Sequence, residues 1–122
     1  MGDIIKSGEC KNSPKNAFVE DVAIDVFVGS GSWLQDRMAE DSVLELGDGT
    51  SVTGPGAIVH LLDKKLRGPF ETLRITHAIS HGRVGAANGS VVRKSNEVGF
   101  SVFVEFVNTK ADRLKRLTLY GL

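Results

Sequence analysis

Phe100-Ser101-Val102-Phe103-Val104-Glu105-Phe106-Val107 is the stretch on which the fold turns. Aromatic and β-branched residues dominate it, which favours a pleated strand. Successive side chains of a strand point to opposite faces, and here both faces carry apolar groups: Phe100, Val102 and Val104 on one, Phe103 and Val107 on the other. A strand of this kind needs two covers. One is available from the chain's own helices and the other from a second copy of the chain. Leu73-Arg74-Ile75-Thr76-His77-Ala78-Ile79 and Leu114-Lys115-Arg116-Leu117-Thr118-Leu119-Tyr120 read as strands on either side of it. The first of these belongs to a run from Glu71 to about Asn88, with room for a bulge at Gly82 or Gly85. If the turn near Thr109 keeps register, Leu117 and Leu119 join Phe100, Val102 and Val104 around a pocket. Thr118 and Tyr120 then join Phe103 and Val107 at a contact between copies. A slip of one residue would exchange the two sets.

The helices come earlier in the chain. Residues 1–12 read as a flexible arm, and residues 13–122 as a single α+β domain. Ser13 is placed to cap a helix whose first residue is Pro14, where no N–H is needed. Phe18, Val22 and Val26, with Val19, Ala23 and Phe27, form a broad apolar stripe at helical spacing. Gly29-Ser30-Gly31 ends that helix, and a short one follows with Trp33, Leu34, Arg37 and Met38. A strand over Asp41–Leu46, a Gly47–Thr50 turn and a short returning strand lead to Gly54-Pro55-Gly56. A third helix then runs from Ala57 to Leu66, with Lys64, Lys65 and Arg67 placed to favour the negative end of its dipole.

Charge excludes two classes of partner. The 122 residues carry 15 Lys and Arg against 15 Asp and Glu, without a basic stripe, so no nucleic-acid footprint exists. No apolar run is long enough to span a bilayer, and the first residues lack the plan of a signal peptide. The single cysteine, Cys10, cannot form an internal disulfide, which fits a reducing, cytoplasmic setting.

The candidates for chemistry are few. His77 shares parity with Leu73, Ile75 and Ile79, and a titratable ring on an apolar face is either a site residue or a core or interface histidine bonded to backbone. His81 has the same parity and lies roughly 13 Å further along an extended strand, too far to share a metal with His77. His60 forms no metal spacing with any Cys, Asp or Glu. Glu40 and Asp41 read as solvent carboxylates, Glu45 as outward-facing, and Glu105 as a rim charge. Trp33 is placed either to roof a pocket or to fill the core. Gly29–Ser32 lacks the lysine of a phosphate loop. No cofactor and no metal are expected.

Several strings resemble the nuclear transport factor 2-like superfamily, and more narrowly its small bacterial SnoaL-like members. They are Ala39-Glu40-Asp41 into a strand, Gly54-Pro55-Gly56-Ala57-Ile58 opening a helix, Ile75 to Gly82, Ala86-Ala87-Asn88-Gly89, and Phe100 to Phe106 followed by Leu117-Thr118-Leu119-Tyr120. The resemblance covers nearly everything from Ser13 onward. It implies a cystatin-like cone, a curved mixed or antiparallel sheet wrapped around N-terminal helices, with a pocket at its open end. It also implies a homodimer through the convex sheet face. Ketosteroid-isomerase-like members carry a carboxylate base where this chain aligns Leu46, and an aspartic acid oxyanion donor where it aligns Val102. Leu119 stands where many relatives have a polar residue. Three polar pocket positions are aliphatic, so isomerisation by a carboxylate base is excluded.

Three readings remain in view. One is the binding of a small, mostly apolar molecule in a pocket formed by Trp33, His77, His81, Phe100, Val102, Val104, Leu117 and Leu119. Another is an isomerase-, cyclase- or hydrolase-like enzyme on a hydrophobic metabolite with His77 as acid/base. A third possibility is a dimerising scaffold whose cone is filled by its own side chains.

Overall fold

The computed structural model of the chain describes every residue except Met1, Glu9, Lys11, Asn12, Ser30 and Ala111. The elements run β1 (Asp3–Ile5), α1 (Pro14–Val28), α2 (Trp33–Asp36), β2 (Met38–Leu46), β3 (Ser51–Thr53), α3 (Pro55–Lys65), β4 (Thr72–His81), β5 (Val84–Arg93), β6 (Asn96–Phe106) and β7 (Leu114–Tyr120). All seven strands form one sheet in the order β1-β4-β5-β6-β7-β2-β3. Pairing is antiparallel except for β1 on β4 and β2 on β7, which are parallel. The sheet is mixed, curved and unclosed, and the helices lie in its concave face. Part of the region expected to be a flexible arm is therefore an edge strand: Asp3, Ile4 and Ile5 pair with Thr72, Leu73 and Arg74.

Local chemistry explains the helix ends. Ser13 accepts a hydrogen bond from the Asn16 backbone N–H at 3.2 Å, a cap that contributes about 1 kcal/mol. Gly29, in the left-handed region at φ 70°, ends α1 by donating its N–H to the Asp25 carbonyl. Between these ends α1 buries Val19, Val22, Ala23, Val26 and Phe27. It also buries Glu20, which accepts from the Ser7 N–H at 2.8 Å, so the N-terminal segment covers that carboxylate. The helix α2 is shorter than its apolar residues imply, because Met38 starts β2 instead of ending α2.

The run expected as one long strand from Glu71 is two strands. Gly82 lies in the turn between β4 and β5, at φ 60°. The bulge falls earlier, between Ile75 and His77, where Ile75 pairs with Gly89 and His77 with Asn88. A Cβ on Gly89 would run into the Arg74 carbonyl, so only glycine allows β4 to fold this closely against β5 at the bend. Asn88-Gly89 is thus interior to β5, and the turn into β6 is Lys94-Ser95. The faces of β6 and β7 follow the expected register, with Val102 opposite Leu119 and Val104 opposite Leu117. These four and Phe100 are buried, whereas Phe103, Val107 and Tyr120 are exposed on the convex side.

Candidate functional site

The inner wall of the cone is aliphatic and packed. Val22, Val26, Leu44, Ile58, Leu73 and Val102 have 0% of their surface open to water, which leaves no water-sized space beside them. Among the described residues, the Ser42 hydroxyl on β2 is the side-chain group of this wall that is buried without a hydrogen-bond partner. The deep carboxylates of α1 are both engaged, Glu20 by Ser7 and Asp25 by Arg67. Leu46, Val102 and Leu119 are all buried among apolar neighbours.

The open end of the cone lies where α1 and α3 finish, β2, β5 and β7 end, and β4 and β6 begin. Phe27 closes it, its ring tilted against that of Phe100 with 4.6 Å between centres, together with Leu66 and Phe70. Three adjoining hollows of about 470, 370 and 280 Å³ run across this mouth. The largest is lined by Arg67 to Glu71, Arg93 and Lys94. It shares Gly68, Pro69 and Phe70 with the smallest, and Arg93 with the second.

Two arginines frame the groove, and each terminates a helix. Arg67 donates through Nη2 to the Asp25 carbonyl at 2.9 Å and to Asp25 Oδ2 at 3.4 Å, and through Nη1 to Asp63 at 2.9 Å. Arg93 donates through Nη2 to the Leu66 carbonyl, at the end of α3. Both Nε–H groups are shielded from water and have no acceptor. A buried donor left in that state costs about 1–3 kcal/mol. The turn beside them is strained as well. Lys94 and Ser95 both have positive φ, 52° and 63°, although neither is glycine, at about 1–2 kcal/mol per residue. Glu71 holds the turn by accepting the Ser95 N–H at 2.8 Å.

The residues expected to line a pocket divide into three groups. Phe100, Val102, Val104, Leu117 and Leu119 share the inner face. Trp33 lies near the other end, 5.6 Å from Phe18, whose ring in turn meets Phe106; the Arg37 guanidinium covers the Trp33 ring at 4.4 Å. His77 and His81 do not face the interior. The bulge at Ile75/His77 shifts the alternation by one, so Leu73, Ile75 and Ala78 point inward while His77, Ile79 and His81 are exposed. His77 sits opposite Asn88, whose side chain accepts the His77 backbone N–H at 3.1 Å. The expectation of a histidine on an apolar face is corrected by that one-residue bulge. Sequence reading missed Arg67, Phe70, Arg93 and Lys94 as a group. Gly68-Pro69, between α3 and β4, lies in their midst.

The carboxylates elsewhere form no second site. Glu40 and Asp41 are exposed where β2 bulges against β7, and Glu45 pairs with Arg116 at 3.4 Å. Glu105 meets Lys115 at 3.9 Å on the convex side. Asp21 borders a hollow with Ile24, Asp25 and Trp33; burial pushes its carboxyl above the usual range, with Lys6 opposing and Glu20 adding to the shift. Asp48 is held low by hydrogen bonds from Thr50. Among the described residues no group of His, Cys, Asp and Glu has the arrangement of a metal site, and no helix is long and apolar enough to cross a membrane.

No family model and no curated protein matches the chain in sequence. Solved structures do match in shape. An NTF2-like protein of unknown function from Burkholderia xenovorans LB400 superposes with a TM-score of 0.71 at 14% identity, over 87% of this chain and 81% of that one. A candidate ketosteroid isomerase from Kribbella flavida DSM 17836 gives 0.68 at 19% identity, over 87% and 76%. A candidate isomerase of the SnoaL-like family from Agrobacterium tumefaciens str. C58 gives 0.64 at 12% identity, over 87% and 96%. The fold is the nuclear transport factor 2-like α+β cone. Likeness at this level of identity extends to the fold alone, and activities vary widely on one scaffold.

Proposed function

We propose that this chain is a binding protein that takes a small, mostly apolar molecule at the mouth of its cone. The observation that carries this reading is the groove over Pro69 and Phe70, an apolar floor with a few polar groups at its edge, which is how small-molecule sites are usually built. The strained Lys94-Ser95 turn supports it, since backbone strain concentrates at functional sites. The inner residues Phe100 and Leu119 would meet a ligand only by way of Phe27 and Phe70. The enzymatic alternative, an isomerase-, cyclase- or hydrolase-like step with His77 as acid/base, is disfavoured because the sheet separates His77 from the interior. Titrating 1-octanol into the ¹⁵N-labelled protein should shift the amides of Gly68, Phe70, Glu71 and Arg93 saturably. Shifts scattered over the whole surface, or none up to the solubility limit, would sink the reading.

We further propose that a second copy covers the convex face. Ile79 is 62% exposed, Phe103 48% and Tyr120 47%, and the Phe103 and Tyr120 rings pack edge-on at 5.9 Å. A row of apolar groups this exposed marks an interaction surface. Glu105, Lys115, Glu45 and Arg116 give it a rim of balanced charge, compatible with a two-fold contact between identical faces. Phe103→Glu should convert a dimer into a monomer by sedimentation equilibrium. Wild-type protein already monomeric at high micromolar concentration would overturn the proposal. The reading is completed by a cytoplasmic setting, supported by the single cysteine.

A further inference from the structure

We infer that the molecule held in the mouth groove carries a carboxylate on its apolar body, and that Arg93 receives it. The inference rests on the binding reading above and names the ligand class. Arg93 uses Nη2 on the Leu66 carbonyl and its Nε–H is shut away from water, which leaves Nη1, with no hydrogen bond to protein among the described residues, to meet a groove ligand. A guanidinium nitrogen that is charged and has donors to spare is suited to a carboxylate, and Nη1 is the one in that state beside the groove. The Arg93 guanidinium lies 6.0 Å from the centre of the Phe27 ring, which places it between the apolar closure of the cone and open solvent. An apolar chain resting on Pro69 and Phe70 would bring a terminal carboxylate to it.

Charge favours a negative group at this edge. The Arg67 charge is already matched by Asp25 and Asp63. The groove lining itself holds three cations, Arg67, Arg93 and Lys94, against one carboxylate, Glu71. With Arg67 turned to Asp25 and Asp63, Arg93 and Lys94 are the cations at the edge where a carboxylate would come to rest.

The test compares octanoate with 1-octanol at pH 7 by ¹H–¹⁵N spectra that include the arginine Nε–H resonances. Octanoate should bind at least tenfold more tightly than octanol, and it alone should move the Arg93 Nε–H signal. Its affinity should fall with added salt while that of octanol holds. Arg93→Gln should bring octanoate down to the level of octanol; if that variant does not fold, the wild-type comparison and its salt dependence decide by themselves. Equal affinities for the two compounds would overturn the anion inference and leave the groove reading intact. Shifts from neither compound at Gly68–Glu71 would overturn both.

Discussion

Val102→Asp should destabilise the protein by about 4 kcal/mol or more at pH 7, enough to remove most of the folded population of an ordinary domain. Val102 has no exposed surface and faces Leu119 across the inner wall. A carboxyl there would be buried among the apolar side chains of the core. The loss should depend on pH in a defined direction. Burial raises the folded-state pKa of the introduced acid above its unfolded value of about 3.9. Below that value both states are protonated and the variant suffers only the burial of a neutral acid. As pH rises from there towards the folded pKa, the deficit grows by about 1.4 kcal/mol per unit. Urea denaturation at pH 4 and pH 8 measures both quantities. A variant as stable as wild type at pH 8 would mean that water reaches the inner wall, and that the cone is a wet cavity and not a packed core.

Arg67→Met should cost about 3–5 kcal/mol, because it leaves the Asp25 carboxylate buried without its cation. Asp25 is 4% exposed, and Arg67 supplies both its ion-pair partner and a hydrogen bond to its backbone carbonyl at the end of α1. Adding Asp25→Asn should recover part of the loss, since a neutral amide is cheaper to bury than a carboxylate that has lost its guanidinium. The backbone carbonyl would still lack its arginine donor, so recovery should be incomplete. Chemical denaturation of the two single variants and the double variant gives the coupling directly. A loss below about 1 kcal/mol for Arg67→Met would show that the pair behaves as a surface salt bridge and that the end of α1 is held by other means.

The inner and outer faces of β6 and β7 were legible because period-two alternation with no interruption leaves a single solution: Val102 and Leu119 go in, Phe103 and Tyr120 go out. The α1 boundaries were legible for the same kind of reason, since Ser13-Pro14 and Gly29 act locally. His77 was not legible. Its face depends on a bulge produced by the contact between Gly89 and Arg74, fifteen residues apart in sequence, and no local signal in Thr76-His77 announces it. The mouth groove was hidden for a related reason. Arg67 and Arg93 come from opposite sides of the β4–β5 hairpin, and only the sheet brings them to one rim. Residues 3–5 carry too few alternations to declare a strand, and their pairing with β4 is supplied entirely by the partner.

The parallel pairing of β2 with β7 has a consequence for the order in which the chain can fold as it is synthesised. Leu44 finds its neighbour in Leu117, and Met38 in Leu114, so β2 emerges from the ribosome some seventy residues ahead of the strand that completes its edge. Until β7 emerges, β2 and β6 each present an open edge with an apolar inner face. A nascent chain stalled before Leu114 would therefore hold α1, α3 and the first strands without a closed core, and would be the form most exposed to chaperones and proteases.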